Sequence, residues 1–233
     1  MKRVVTLSLV SLMFVAALSA VPRPAAAQGP GLVSSILNRM DRNRRELKSL
    51  RSSVVMQKYN AQLRQEEMQY GELQYVAGSG ANMNVRVDWT RPAREHLAVK
   101  NGQYVLFRPR LNLAYQGSAS RQQKNARVSN VLGFSLNMTG AQLKSRFDVE
   151  FVGEGILYDN VYVTQLKLTP KGAAGYQFAE VWVDRTGMPV QTRVVERNGD
   201  FTTVRLTGIQ KNAAVPSNAF DLALPAGVKI VKG

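Results

Sequence analysis

The segment from Val181 to Val231 constrains the fold more than any other part of this 233-residue chain. Two tight-turn sequences, Asp184–Gly187 and Asn198-Gly199, join runs rich in Val, Thr, Phe and Ile. Asn-Gly between such runs predicts a type I′ hairpin turn, because both central residues of that turn need positive φ. We predict an antiparallel meander, closed by a Pro225/Gly227 segment that is expected not to continue regular pairing. No catalytic group is evident there, which favours a binding protein over an enzyme.

The first residues predict export. Lys2 and Arg3 precede an apolar stretch from Val4 to Val21, and Ala25–Ala27 supplies the small residues that a signal peptidase requires. We predict a signal peptide over residues 1–27, cleaved near Ala27/Gln28, followed by a single domain over residues 28–233. A membrane anchor is the alternative, because the apolar stretch approaches transmembrane length.

The sequence contains no cysteine. An exported chain without cysteine has no disulfides, so burial of a hydrophobic core must hold it together. Bacterial lipoproteins are anchored through a lipidated cysteine after the signal, and no residue here can carry that lipid. The expected mature protein is therefore soluble.

Basic residues are dense near the start of the mature chain. The net charge is +15, and much of the excess lies between Asn38 and Lys48. A basic surface favours acidic partners or anionic headgroups, and export argues against nucleic acid. Arg42, Arg44 and Arg45 are candidate docking residues, although an ordinary solvated helix face explains them equally well.

Apolar periodicity predicts a helix and then strands. Leu32 to Leu50 has apolar residues near helical spacing, whereas Met83 to Trp89 alternates with period two. Asn101-Gly102 marks another hairpin turn. Val131–Leu136 resembles a short apolar helix, and Thr139 is placed to cap a further one. About ten or eleven strands against three short helices predict a mainly β fold, an incomplete, curled antiparallel barrel with a helical lid.

One parity of each strand is expected to line an apolar interior that accepts hydrocarbon. A solid core is equally consistent with the pattern, because small barrels are often packed solid. The candidate residues of this acyl-chain cavity are Val54, Met56, Met68, Met83, Val85, Val87, Trp89, Leu97, Val105, Phe107, Val149, Phe151, Val163, Val181 and Val183. The candidate lid residues are Ile36, Leu37, Met40, Leu132, Phe134 and Leu136.

The residue inventory argues against an enzyme. His96 is the single histidine and cysteine is absent, which excludes cysteine nucleophiles and Cys/His metal sites. No G-x-S-x-G motif is present, and no glycine loop follows a strand and opens a helix. We predict a non-enzymatic protein with no cofactor and no metal.

Several of these segments together resemble the LolA family of periplasmic outer-membrane lipoprotein carriers. They are the signal without cysteine, the helix after it, the Trp89–Pro92 run before Asn101-Gly102, the VWVDRTGMP strand and turn, and the FDLALPAGV ending. The resemblance covers nearly the whole mature chain. It implies a barrel with a hydrophobic cavity under a helical lid.

The resemblance also implies a function. Family members are soluble periplasmic chaperones that take lipoprotein acyl chains from an inner-membrane ABC transporter complex and pass them to an outer-membrane acceptor. We expect this chain to do so as a monomer. The family carrier latches its lid through an arginine before a proline, which makes Arg91 of Arg91-Pro92 the candidate latch, although it lies one strand late when counted from Asn101-Gly102.

Two other functions stay open on the same fold. One is an envelope sensor or interaction protein that binds a segment of a partner. The other is a carrier of a different amphiphile, such as a glycolipid or a hopanoid.

Overall fold

The computed structural model describes residues 29–78, 83–119 and 136–232. Within these ranges the chain forms two complete α-helices and one twelve-stranded sheet. The helices are α1 (Gly29–Glu46) and α2 (Gly140–Arg146). The strands are β1 (Ser49–Asn60), β2 (Gln65–Ala77), β3 (Met83–Arg91), β4 (Glu95–Lys100), β5 (Gln103–Arg108), β6 (Leu113–Ser118), β7 (Phe147–Ile156), β8 (Tyr162–Pro170), β9 (Phe178–Asp184), β10 (Pro189–Val195), β11 (Phe201–Lys211) and β12 (Lys229–Lys232). The predicted signal peptide lies outside the described residues, as does the predicted helix at Val131–Leu136 apart from Leu136.

The sheet curls without closing. Its strand order is β12-β6-β5-β4-β3-β2-β1-β11-β10-β9-β8-β7, so β12 and β7 are the two edges. Neighbouring strands run antiparallel except for β12, which pairs in parallel with β6. A sheet of this width tends to curl because strand twist accumulates across it. The prediction of a mainly β, open barrel with a helical cover is confirmed, with twelve strands rather than ten or eleven.

The predicted hairpin turns form, but one is of a different type. Asn101 and Gly102 both have positive φ, 51° and 72°, as a type I′ turn between β4 and β5 requires. Gly199 has φ of 85°, whereas the φ of Asn198 is not positive. The β10–β11 turn is therefore not type I′. The Gly199 N–H donates to the Glu196 carbonyl instead, which closes a longer loop than a two-residue type I′ turn would.

The two faces of the sheet differ, and the register defines them. Val54 pairs with Gly71, and Leu73 pairs with Val87. These residues share one face, which we call the inner face. The registers through β11 and β10 place Val181 of β9 on the same face, and Val181 packs against α1. The helix therefore lies on the inner face.

A buried asparagine completes the apolar stripe of α1. The stripe weakens after Met40 in the sequence, and Asn43, only 6% exposed, occupies the next position facing the sheet. Its amide nitrogen donates to the Met188 sulfur at 3.4 Å, and its amide oxygen accepts from Lys211 Nζ at 2.6 Å. Because both polar atoms have partners, burial of this amide does not leave a hydrogen bond unmade.

The helix α1 ends at Glu46 rather than at the predicted Leu50. The side chain of Asn212 donates to the Glu46 carbonyl at 3.1 Å and accepts from the Lys48 N–H at 2.8 Å. This amide takes over backbone groups that a continuing helix would have paired. Ser49 and Leu50 consequently begin β1.

The predicted cap of α2 is confirmed. Thr139 and Gln142 form a capping box, in which each side chain accepts from the backbone N–H of the other. The Gly140 N–H donates to Asp41 Oδ1 of α1 at 3.0 Å. The two helices are therefore joined directly.

The end of the chain departs from the prediction. After β11 it crosses the face opposite α1, where Arg86 donates to the Ala219 carbonyl at 3.0 Å and Phe220 is buried. Pro225 and Gly227 interrupt pairing, but only before β12, which reaches the far edge and pairs with β6. The Pro225/Gly227 segment does not pair, as predicted, but the chain does not end as an antiparallel meander, because Lys229–Lys232 pairs in parallel with the free edge of β6.

A close contact at Gly187 holds α1 in place, and substitution of Gly187 tests how much this contact contributes to the free energy of unfolding. A Cβ at Gly187, where φ is 88°, would lie 2.3 Å from the Arg39 carbonyl oxygen in α1. Gly199 has a similar φ of 85°, and its added Cβ would meet only the Ala61 side chain, at 3.2 Å. Gly199→Ala is thus a matched control for backbone strain, which costs about 1–2 kcal/mol.

Gly187→Ala is expected to lower the free energy of unfolding by about 1–3 kcal/mol more than Gly199→Ala does. The extra loss arises because α1 has to shift to admit the new Cβ. Urea denaturation of both variants measures the difference. Equal losses in the two variants would contradict a role for this contact in holding α1.

Candidate functional site

One half of the inner face is a continuous apolar surface. It spans β1 to β5 and β11, and its members are buried in this structure, with Val85 and Val87 at 0% exposure. We call this set the apolar half: Leu50, Val54, Met56, Leu73, Tyr75, Val85, Val87, Trp89, Leu97, Val99, Tyr104, Leu106, Val204 and Leu206. Met83 and Tyr115, both partly buried, extend it.

The helix α1 occupies the other half of the inner face. Val33, Ile36, Leu37 and Met40 form one buried cluster with residues of β8 and β9, namely Leu166, Leu168, Ala179, Val181 and Val183. That surface is packed against α1, whereas the apolar half is not. The apolar half is therefore the candidate surface for hydrocarbon. In the part of the chain that the structure describes, neither helix is long and apolar enough to cross a bilayer.

Trp89 contributes a broad apolar surface because its neighbour across the strands is glycine. Gly71 pairs with Trp89. A Cβ at Gly71 would lie 3.0 Å from Cε3 of the Trp89 ring and 2.6 Å from the Asp88 carbonyl oxygen. The indole thus lies over the backbone of β2, where a side chain would exclude it. This packing explains an otherwise unfavourable glycine within a strand.

Leu136 and Asn137 contact the apolar half. Leu136 is 3% exposed and belongs to the same buried cluster. The Tyr75 hydroxyl donates to Asn137 Oδ1 at 2.9 Å. Burial raises the pKa of Tyr75 to about 12, against a smaller opposing effect from the charge of Arg44. The phenol is therefore neutral and able to donate at physiological pH.

The structure divides the predicted cavity residues into three groups. Those in or beside the apolar half are Val54, Met56, Met83, Val85, Val87, Trp89 and Leu97. Those on the inner face at the α1 side are Val149, Phe151, Val181 and Val183, of which Phe151 is exposed. Those on the opposite face are Met68, Val105, Phe107 and Val163, so the register corrects the predicted face for these four. Val163 nevertheless packs in the same buried cluster as Val54 and Val87.

The error in β5 has a physical cause. Both parities of that strand are apolar, so alternation does not select a face. Phe107 instead stacks on His96 on the opposite face, with ring centroids 6.3 Å apart. The Asn101-Gly102 turn carried the missing signal, because it pairs Leu97 with Leu106. Leu106 and Tyr104 could thus have been predicted for the inner face. Leu73 and Tyr75 in β2 were also missed, although their alternation with the polar Glu72 and Gln74 indicates one buried face.

The predicted lid, latch and docking residues occupy different environments. Ile36, Leu37 and Met40 lie on α1 and are buried against β8 and β9. Leu136 packs on the apolar half, whereas Leu132 and Phe134 lie outside the described residues. Arg91 is exposed, and its guanidinium lies over the Tyr70 ring at 4.6 Å. The register puts both on the face opposite α1, so Arg91 is not a latch to α1 in this arrangement.

The docking prediction for Arg42, Arg44 and Arg45 remains a prediction. Arg42 and Arg45 are exposed on α1. Arg44 is half-buried, with Nε 3.8 Å from Asp41 Oδ1. Only two of the three side chains are therefore freely presented to a partner.

Arg86, Asp88 and His96 form a polar cluster that could be mistaken for a catalytic site, but its contacts explain it as a structural link between two strands. Nδ1 of His96 lies 2.6 Å from Asp88 Oδ1, and Asp88 also accepts from Arg86 Nε at 2.8 Å. This cluster joins β3 to β4 on the face opposite α1. Within the described ranges, no three His, Asp or Glu side chains group as metal ligands would. The chemistry that the inner face offers is burial of hydrocarbon, worth about 25 cal/mol per Å².

The curled sheet and its helical cover define a class, an open β-barrel with one apolar inner face. The family model described as "Outer membrane lipoprotein carrier protein LolA" matches residues 82–223. The chain belongs to the LolA family, as the sequence resemblance predicted. That family is one of binding and carrier proteins rather than enzymes, and its members are typically periplasmic. Membership supports a carrier-type role in binding lipid or lipoprotein.

Solved structures support the fold. The crystal structure of MucB is 18% identical, with a TM-score of 0.55 over 83% of this chain and 63% of MucB. The chain thus spans less than two thirds of the length of that protein. The Pseudomonas aeruginosa MucA/MucB complex matches at 20% identity and a TM-score of 0.50, over 82% of this chain and 61% of the other. An uncharacterized conserved protein from Thermus thermophilus matches at 11% identity and a TM-score of 0.53, over 87% and 99%. No curated protein matches the chain.

The raised pKa of Tyr75 predicts a pH dependence of stability. An unfolded tyrosine releases its proton near pH 10 and folded Tyr75 near pH 12, so between these values the folded state holds a proton that the unfolded state has lost. The protonated Tyr75 therefore contributes its full share of the free energy of unfolding below about pH 10. As the pH rises above 10, the free energy of unfolding falls by up to about 1.4 kcal/mol per pH unit.

Tyr75→Phe should therefore flatten the decline in the free energy of unfolding above pH 10, measured by urea denaturation at several pH values. Tyr158→Phe is the control, because Tyr158 is 73% exposed. Parallel slopes for the wild type and Tyr75→Phe would show that Tyr75 does not titrate as a buried phenol.

Proposed function

We propose that this chain carries lipoproteins across the periplasm by shielding their acyl chains on the apolar half of the inner face. It receives them from an inner-membrane ABC transporter complex and passes them to an outer-membrane acceptor, as a monomer formed by residues 28–233. The observation that best supports the proposal is the continuous apolar half. Part of that surface lies within residues 82–223, which match the LolA family model.

Burial of acyl chains supplies enough free energy for this role. Each methylene removed from water contributes roughly 0.8 kcal/mol, so one long chain contributes on the order of 10 kcal/mol. A multiply acylated lipoprotein would not leave a membrane without such shielding. Handover then requires an acceptor that offers comparable burial.

Loading requires the apolar half to be uncovered, because its side chains are buried in this structure. We infer that α1 stays in place, held by the close approach of Gly187 to Arg39 and by the hydrogen bond from Gly140 to Asp41. The acyl chains then displace Leu136 and Asn137. Among the described residues, the hydrogen bond between Tyr75 and Asn137 and the burial of Leu136 stabilise this closed arrangement.

A second candidate is an envelope sensor that binds a protein segment on the same face. The observation that favours it is the shared fold with MucB, which is solved in a complex with MucA. In this function the apolar half would receive side chains of a partner rather than lipid.

Native mass spectrometry after mild extraction from the envelope separates these functions. The proposal predicts a bound mass that fragments to an acylated lipoprotein. A free glycolipid or hopanoid in its place would contradict lipoprotein transport and identify another amphiphile as the cargo. An otherwise empty protein that retains the domain of a membrane protein would favour the sensor.

A matched pair of substitutions tests the binding surface. Val87→Phe adds volume to the apolar half, whereas Val105→Phe makes the same change on the opposite face. We expect Val87→Phe to weaken binding of a synthetic diacylated lipopeptide by about tenfold or more, and Val105→Phe to leave it unchanged. Calorimetric titration gives both affinities, after circular dichroism has shown that each variant is folded. Equal affinity in folded Val87→Phe and wild type would exclude the apolar half as the site.

A further inference from the structure

A cavity of about 460 Å³ lies between α1 and the outer end of the β7–β8 hairpin. Its lining includes Arg39 of α1, Arg185 of the β9–β10 turn, and Glu154, Ile156 and Tyr162 of the hairpin. None of these five residues belongs to the apolar half, although Val163, which also lines the cavity, packs in the same buried cluster as that surface. The cavity borders the apolar half and is a site of its own, with a volume in the range of about 300–1,000 Å³ that is usual for small-molecule pockets.

Two arginines face this cavity without carboxylate partners. The Nε atom of Arg39 is buried and makes no hydrogen bond. Within the described part of the chain, no ion pair joins Arg39 or Arg185 to an acid. A buried donor left unpaired lowers stability, and an oxygen atom of a ligand would satisfy it. Glu154 is the single acid in the lining, so the site carries a net positive charge.

Neighbouring contacts hold the two cations in place. The guanidinium of Arg185 lies over the Tyr162 ring, 4.1 Å from its centroid. The turn that carries Arg185 continues into Gly187, which approaches the Arg39 backbone too closely to admit a Cβ. The backbones of both arginines are thus fixed relative to one another, and the Arg185 guanidinium is held on the Tyr162 ring. Such preorganisation lowers the cost of binding an anion.

The hairpin beside the cavity is apolar as well as exposed. Ile156 is 57% exposed and Tyr162 is 50% exposed, and both line the cavity. Phe151, Val152 and Tyr158 on the same hairpin are also exposed. A free phosphate would make no use of this surface, whereas an amphiphile would contact it with its hydrocarbon. Exposed apolar patches of this kind commonly mark binding sites.

We propose that this cavity binds the phosphate headgroup of an anionic phospholipid, with the first part of the acyl chains lying along Ile156 and Tyr162. Arg39 and Arg185 donate to the phosphate oxygens. The site is independent of the apolar half, and its occupant is a membrane phospholipid rather than the acyl chains of a lipoprotein.

Calorimetric titration with dihexanoyl phosphatidylglycerol, kept below its micellar concentration, tests the proposal. The comparison probes are dihexanoyl phosphatidylcholine, which lacks net charge, and inorganic phosphate, which lacks hydrocarbon. The variants are Arg39→Gln and Arg185→Gln. Arg42→Gln is the matched control, since it removes an exposed charge from the same helix. Arg185 is itself exposed, which makes its variant the safer one for folding.

We expect saturable binding of the phosphatidylglycerol, stronger than that of either comparison probe and weaker at high salt. Arg39→Gln and Arg185→Gln should each weaken it by about tenfold, and Arg42→Gln should leave it unchanged. Val87→Phe should also leave it unchanged, which distinguishes this site from the apolar half. Equal binding of inorganic phosphate would overturn the lipid assignment. Absence of saturable binding, or equal loss in Arg42→Gln, would overturn the site.

Discussion

The close approach of Gly187 to the backbone of Arg39 determines how the inner face is divided. A side chain at this position would displace α1, because its Cβ would lie 2.3 Å from a carbonyl oxygen. With glycine there, α1 packs on β8 and β9 and covers that half of the sheet. The remaining half presents an apolar surface that α1 does not fill. The same contact also brings Arg39 and Arg185 to one cavity, so both binding proposals depend on it.

The buried state of the apolar half has a consequence for transport. A carrier without cargo that exposed so many apolar side chains would aggregate, since exposed patches of this size attract other apolar surfaces. Leu136 and the Tyr75–Asn137 hydrogen bond keep part of this surface covered. One neutral hydrogen bond contributes only about 0.5–1.5 kcal/mol, which is small beside the burial of a long acyl chain. In the proposed function, burial of one acyl chain is therefore sufficient to displace this cover.

Local sequence signals predicted those parts of the fold that depend on neighbouring residues. The Asn101-Gly102 turn, the Thr139 cap and the alternation from Met83 to Trp89 each formed as predicted. Features that depend on distant pairing were not predictable in this way. β12 joins β6 across more than a hundred residues, and Asn43 replaces an apolar residue because Lys211 and Met188 lie beside it.

In the candidate sites, too, local sequence signals predicted only the residues whose position depends on near neighbours. Val54, Val85 and Val87 could be assigned from parity, but β5 is apolar on both faces, and its face follows only from the register that the turn sets. Arg39 and Arg185 are ordinary basic residues in the sequence. Their convergence arises from the packing of α1 against the β9–β10 turn, which no local pattern encodes.

The two tryptophans allow a direct measurement of where hydrocarbon binds. Trp89 lies in the apolar half. Trp182 packs in the same buried cluster, but its pairing with Gln191 places it on the opposite face of the sheet, where the Arg193 guanidinium lies 5.7 Å from its ring. The measurement is quenching of tryptophan fluorescence by a lipopeptide with brominated acyl chains, in Trp182→Phe and in Trp89→Phe. If the apolar half receives the chains, the lipopeptide quenches Trp89 strongly and Trp182 weakly. Quenching of Trp182 alone, or binding that leaves Trp89 unquenched, would contradict acyl-chain shielding by this face.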